Sequence, residues 1–395
     1  MSAGDHAVTA QRRGAVPMMA LACGVTVANI YMCQPLLAEF ARDFGVPESR
    51  AGLVAVGTQV GYALGILFLT PLVDIAQPAR LIRWLTALTS ASLALAAFAP
   101  NVVALAVASL ALSVTTIVPQ VLVSVAPSMA APERRGRMVG AMMTGVVCGI
   151  LLSRTAAGLV VQMAGTWRAA YVVAACLTGA LFFLLPRFLP AHPPRGERIG
   201  YAALLWSLPG LLAHRRLRVS IGINFFAFAA FSAIWASLAF HLRGAPFSLE
   251  PAAIGLFGLW GAPGALLAPM VGRLADRWGA GRVNMVSLGA AVVALGIAST
   301  LGATSVLAMV VALNFLDFGQ QSGQVANQTR IFGIDPAMRG RLNTLYMTAS
   351  FAGGAFGSLS GAHAWGLAGW PGVCAVAGVL VLCSATGLAL GRKHD

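Results

Sequence analysis

The chain has 395 residues, 58% of them hydrophobic and only 10% charged, and its mean hydropathy is +0.81. Soluble domains carry about 25% charged residues, so the composition excludes an ordinary soluble domain and predicts an integral membrane protein. The formal charge of +14 predicts no nucleic-acid partner, because the arginines sit in short loops between apolar runs and form no continuous basic face.

Residues 1–16 are polar, carry Arg12 and Arg13, and predict a cytoplasmic tail ahead of an uncleaved first span. Apolar runs of about the 20 residues needed to cross a bilayer lie near 17–40, 51–73, 79–99, 101–129, 136–162 and 167–189. A second set lies near 218–242, 251–272, 281–302, 303–332, 340–364 and 367–391. The organisation expected is an N-terminal six-helix bundle at 17–189, a cytoplasmic linker at 190–217, a C-terminal six-helix bundle at 218–391 and a tail at 392–395. The linker opens on Pro190, Pro193 and Pro194. Tyr201, Leu204, Leu205, Leu208 and Leu212 follow at helical spacing beside Arg198, Arg215 and Arg216, which predicts an interfacial helix on anionic lipid. With both termini cytoplasmic, 21 of the 26 basic residues fall on the cytoplasmic side and 4 outside. That is the bias of a multi-pass protein of a bacterial inner membrane. All six cysteines lie in apolar runs and no Cys-x-x-Cys occurs, so neither disulfides nor a metal site are expected.

The two halves echo one another. Pro132-Glu-Arg-Arg-Gly-Arg137 recurs as Pro336-Ala-Met-Arg-Gly-Arg341, Gly165-Thr-Trp167 as Gly369-Trp370, and Thr70-Pro-Leu-Val-Asp74 as Gly272-Arg-Leu-Ala-Asp276, all at offsets of 202 to 204. Six spans per repeat is an even number, so the repeats are parallel, related by an axis along the membrane normal.

The stretch Gly272-Arg-Leu-Ala-Asp-Arg277-Trp-Gly-Ala-Gly-Arg282 closely resembles the loop signature of the major facilitator superfamily. Three further stretches resemble its bacterial drug and sugar efflux permease branch: Ala28-Asn-Ile-Tyr-Met-Cys-Gln-Pro-Leu-Leu37, Val118-Pro-Gln120, and Asn327-Gln-Thr-Arg330 with Arg341-Leu-Asn-Thr-Leu-Tyr-Met347. The chain departs from the pattern at Thr70 and Ile75 in the first-half loop. It departs again after Gly145-x-x-x-Gly149, where exporters often carry proline and this chain has Ile150. The resemblance implies an all-α membrane protein of twelve transmembrane helices in two six-helix bundles. It also implies a central cavity lined by spans one, four, seven and ten, and loop charges that latch the halves on the inner side. The latch residues on that reading are Asp74, Arg80, Gly272, Asp276, Arg277 and Arg282; their plain alternative is topology-setting charge.

The stretch Leu313–Gln328 carries one carboxylate and six amides inside an apolar region. At about 100° per residue, Asn314, Asp317, Gln321, Gln324 and Gln328 share one face. Such a stripe avoids lipid, where each unpaired polar group costs several kcal/mol. Asp317 is the only acidic residue deep in a span, roughly 20 Å from the outer end of its helix at 1.5 Å per residue. Burial there penalises the ionised form, which suits the group to proton exchange coupled to transport; the alternative is a structural carboxylate held by permanent partners. Arg154 is the only basic residue deep in a span. It stays charged, so it needs a counter-charge, which predicts a state-dependent pair with Asp317 across the seam between halves, or else snorkelling to the outer interface. Span seven carries Asn224, Phe228, Phe231 and Trp235 along one stripe, expected either to hold an aromatic solute or to be plain packing. Asn29, Tyr31 and Gln34 in span one and Gln120 in span four complete the candidate solute-binding set. Pro35 and Pro119 each remove a backbone donor and free carbonyls nearby.

No Walker loop, metal cluster or nucleophile–base set is visible, so neither an enzyme nor a primary pump is expected. The sequence reads as a secondary active transporter working by alternating access: a monomer in the lipid bilayer, with a small-molecule substrate, no cofactor and the proton gradient as energy source. Proton-coupled export of an amphipathic or drug-like solute ranks first, proton-coupled import of a polar metabolite second, and a non-transporting membrane sensor last.

Overall fold

A computed structural model describes residues 3–129, 134–189, 200–266, 271, 277–335 and 338–392. The described residues form helices and no strand. Span one is α1 (Ala3–Tyr31) continued, after a 3₁₀ turn at Gln34–Leu36, by α2 (Leu37–Phe44). Residues 3–16, expected as a tail, extend the first helix. Span two is α3 (Glu48–Ala51) with α4 (Leu53–Leu69), and span three is α5 (Pro78–Ala97). Span four is α6 (Val102–Thr115) and α7 (Val118–Val125). Spans five and six are α8 (Arg135–Ala164) and α9 (Arg168–Leu184). The linker holds α10 (Tyr201–Leu211). Span seven is α11 (Arg215–Arg243), and span eight is α12 (Pro251–Trp260) with α13 (Ala262–Leu266). Spans nine and ten are α14 (Ala280–Ser299) and α15 (Val306–Phe332). Spans eleven and twelve are the two arms of α16 (Arg339–Arg392), broken at Ala368–Gly369.

Eight described stretches are long and apolar enough to cross a membrane unaided, and one of them, Arg339–Gly391, contains two spans. The other three spans are α5, α12 with α13, and α15. In α15 the acid and the amides dilute an otherwise apolar run.

The sequence echoes have a physical cause. Arg135 and Arg339 each open a span, the fifth and the eleventh. Gly165 and Gly369 each end one at positive φ, 69° and 60°, a conformation open to glycine and costly for other residues. The tight hairpins are closed by capping: the Asn101 side chain accepts from the Ala104 N–H (2.9 Å) and that of Ser305 from the Ala308 N–H (3.4 Å).

Glycines set the closest helix pairs. Gly353, Gly357 and Gly361 of α16 lie against the backbone of Phe225, Ala229 and Ala233 of α11, a small-xxx-small seam in which backbones meet directly. A methyl group at Gly357 would overlap the Ala229 carbonyl. Gly357→Ala is therefore expected to destabilise by about 1–3 kcal/mol through overpacking, read as a lowered thermal midpoint in detergent. An unchanged midpoint would contradict this contact.

Between the halves, contacts gather on the face opposite the termini. There α12 packs on α8, with Thr155 Oγ1 donating to the Gly255 carbonyl (2.9 Å), and Trp365 Nε1 of α16 donates to Glu48 of α3 (2.9 Å). On the terminal face, α10 joins the halves. Its Tyr201 hydroxyl donates to the Phe68 carbonyl (2.8 Å), and Leu208 and Leu211 pack with Leu217, Ile331, Leu342 and Tyr346. Trp206 points away from the protein, 83% exposed.

Candidate functional site

Two broken spans converge on Arg154. Pro35 cannot donate to a helical ladder, and span one breaks there, between Tyr31 and Leu37. The break turns the Gln34 side chain to accept from Arg154 Nε at 2.8 Å. The guanidinium carbon lies 3.9 Å from the Trp235 ring centroid and 5.3 Å from that of Tyr31, so the cation sits in an aromatic box. Arg154 is 2% exposed, which rules out snorkelling. Gly258 of α12 makes room for it: a methyl group there would come within 2.9 Å of Arg154 Cβ.

Asp317 sits where span eight breaks. Gly261 separates α12 from α13, and a methyl group at Gly261 would lie 2.6 Å from Asp317 Oδ2. The carboxylate therefore rests on bare backbone. It is buried, 7% exposed, and electrostatically coupled to Arg154 and Tyr31. No Arg154 nitrogen comes within the 4.0 Å of an ion pair among the described residues. The Trp235 indole N–H faces Asp317 closely enough to interact with it but falls outside hydrogen-bond geometry.

Gly255, Gly258, Gly261 and Gly264 recur every third residue along span eight. The first two lie against Arg154 and its backbone, the last two against Asp317 and Asn314. Sequence reasoning missed this seam, although four glycines at one spacing in an apolar run were the available signal.

Several predicted residues have their polar groups engaged elsewhere. Asn314 repairs the break in span eight: its Nδ2 donates to the Trp260 carbonyl (2.7 Å) and its Oδ1 accepts from the Gly264 N–H (3.0 Å). Asn314→Ala is thus expected to cost about 1–3 kcal/mol by leaving two backbone groups unpaired, with thermal stability falling more than solute affinity. The reverse pattern would restore a direct solute contact. Asn224 donates to Ser350 Oγ (2.6 Å) and ties α11 to α16. Asn29 turns outward from the cluster, donating to Thr178 Oγ1 (3.1 Å) and lining a lateral groove of about 690 Å³ between α1, α8 and α9. Asn327 and Asn284 exchange hydrogen bonds at 3.2 Å, Gln328 donates to Asn343 (3.2 Å), and Gln324 Nε2 lies 4.0 Å from Met347 Sδ. Gln321 is half-buried on the Asp317 face.

The aromatic stripe is continuous. Trp235, Phe231 and Phe228 follow at centroid distances of 6.2 and 5.6 Å, then Phe351 at 5.3 Å and Tyr62 at 4.5 Å, where Gln120 Nε2 reaches the Tyr62 hydroxyl (3.4 Å). It runs from Arg154 across the seam, with Tyr62 from the first half and the other rings from the second.

The latch expected between the halves has no ion pair among the described residues. Arg80, Arg277 and Arg282 are exposed and form no ion pair among the described residues. Gly272 and Asp276 lie outside the described residues, as does the side chain of Asp74. Among the described residues the one ion pair that joins the halves is on the face opposite the termini, where Arg243 meets Glu39 (3.6 Å); Arg243 also pairs with Glu250 (3.1 Å) and Glu39 with Arg42, each within its own half. Acid and base at the ends of spans one and seven, opposite the termini, were the sequence signal for this contact.

Twelve spans in two parallel bundles, with polar and aromatic groups meeting on the seam, define a membrane transport protein rather than an enzyme. The chain belongs to the Major Facilitator Superfamily, whose family profile matches residues 19–242. It is 37% identical over 368 residues to the uncharacterized transporter YgaY of Escherichia coli O157:H7, covering 93% of each chain. It is also 37% identical to the probable transporter SCO4007 of Streptomyces coelicolor, covering 95% of this chain and 87% of the other. The nucleoside transporter NupG shares the fold with a TM-score of 0.72 at 12% identity, covering 96% of this chain and 99% of that one. The peptide transporter POT shares it at 0.70 and 14%, covering 96% and 94%.

Proposed function

We propose that this transporter exports small amphipathic, aromatic-bearing solutes in a proton-coupled cycle of alternating access, as a monomer with both termini in the cytoplasm. The observation that carries the reading is the buried guanidinium of Arg154, boxed by Trp235 and Tyr31 and facing Asp317 across the seam. An acid and a cation that are coupled without being paired have room to change partners as a proton or solute arrives. The ring series from Trp235 to Tyr62 supports an aromatic solute, and three of the six amides of α15, Asn314, Asn327 and Gln328, are already bonded to neighbouring spans. The basic-residue bias supports the orientation.

Gln321 favours a second reading, import of a polar metabolite. It is half-buried on the Asp317 face and hydrogen-bonded to no described residue. Everted membrane vesicles energised to an acidic interior separate the two. Export in the cell appears there as accumulation of an aromatic test compound, lost in vesicles lacking the protein. Accumulation in right-side-out vesicles alone would establish import.

A further inference from the structure

Two buried donors beside Asp317 lie outside hydrogen-bond geometry of any acceptor among the described residues, although the Trp235 indole faces the Asp317 carboxylate. Arg154 Nη2 makes no hydrogen bond, and neither does Trp235 Nε1, in side chains that are 2% and 3% exposed. Arg154 Nε already donates to Gln34. An unmade charged hydrogen bond in a low-dielectric site is costly, so this corner is shaped for an acceptor that arrives from outside. Its cation also lacks an ion-pair partner at contact distance, which favours an acceptor carrying negative charge.

We infer that the solute is an aromatic carboxylate, its carboxylate seated on Arg154 Nη2 and Trp235 Nε1 and its ring laid along Phe231 and Phe228, and that it binds together with one proton. The inference rests on reading the Arg154–Asp317 cluster as part of the solute path; because solute and proton bind together, an inward proton gradient would drive such a solute inward, the second of the two readings above. The charge balance is explicit. Without solute, the Asp317 carboxylate offsets the guanidinium. With solute, the incoming carboxylate takes that place, and Asp317 accepts a proton, so the buried cluster keeps zero net charge in both states. The titratable groups acting on Arg154 are Asp317 from α15, Tyr31 from α1 and Cys33 from the turn after it. From α11 and α12 it meets the Trp235 ring and the Gly258 backbone. A lipophilic cation is disfavoured here by Arg154 itself.

The test uses purified full-length protein and three matched probes: 2-naphthoate, neutral 2-naphthamide and cationic 2-naphthylmethylamine. Binding is titrated near pH 5.5 and near pH 7.5. Naphthoate is expected to bind at least about tenfold more tightly than either analogue at the lower pH, the worth of one charged hydrogen bond. Its affinity falls as pH rises, by up to about tenfold per unit, because the proton must join it. Arg154→Gln is expected to weaken naphthoate at least about tenfold and naphthamide little. Asp317→Asn keeps naphthoate binding and removes its pH dependence. Should Arg154→Gln fail to fold, Trp235→Phe keeps the ring and deletes one donor, with a severalfold loss expected. Binding of none of the probes, equal or tighter binding of the amide or amine, affinity that rises with pH, or no loss in the Arg154 and Trp235 variants would overturn the inference. The expected binding pattern without flux in vesicles would sink the transport reading alone; flux with preference for the amide or amine would sink only the carboxylate.

Discussion

A disulfide formed between Ser49→Cys and Gly366→Cys is expected to stop transport, and a reductant to restore it. A Cβ at Gly366 lies 3.5 Å from Ser49 Cβ, within the roughly 3.5–4.5 Å that disulfides require. The two positions belong to spans two and eleven, one in each half, on the face opposite the termini. Around them, Trp365 donates to Glu48 and Gly52 lies against Ala362, so the tether adds to a contact already closed. If the halves must part on this face for solute to pass, a covalent bond holds them in one state of the cycle. The experiment needs the six native cysteines replaced, since all are free thiols in the structure. Oxidation is expected to bring flux down to that of protein-free vesicles. Full transport with the bond formed would mean that this face does not open.

The second large effect concerns Arg154 and Asp317. Each alone in this buried site is a charge without compensation, which a low-dielectric surrounding penalises by several kcal/mol. Arg154→Gln and Asp317→Asn are therefore each expected to lower transport about a hundredfold or more, the equivalent of roughly 3 kcal/mol. The double variant removes both charges and with them the penalty, so it is expected to regain movement of a neutral solute such as 2-naphthamide while losing any response to a pH gradient. That non-additivity is the signature of two groups acting as a unit. Losses in the double variant equal to the sum of the single ones would mean that the two act separately.

The architecture was legible because its signals are long and redundant. Twelve apolar runs, the basic-residue bias and the echoes at Arg135 and Arg339 and at Gly165 and Gly369 all follow from the bilayer and from backbone geometry. The convergence of Arg154 and Asp317 was also legible, since buried charges in lipid have few places to go. The partners of individual amides were not. Asn314, Asp317 and Gln321 share a helical face, yet Asn314 closes a break in span eight whose existence depends on Gly261 and Pro263 in a different helix. Asn29 lies two residues from Tyr31, and that short step turns it from the seam to the lateral groove. Helical periodicity gives the direction of a side chain but not the identity of the neighbouring span. The glycines of span eight carry no polar signal because their contribution is the absence of a side chain, which leaves room for Arg154 and Asp317.

The most direct measurement is the initial rate of solute flux in proteoliposomes with and without an imposed pH gradient, for the native protein and Asp317→Asn reconstituted at equal density. With the coupling carboxyl at Asp317, the native rate changes severalfold with the gradient, and the variant moves solute at one, much lower rate under both conditions. A variant that still follows the gradient as the native protein does would place the proton elsewhere.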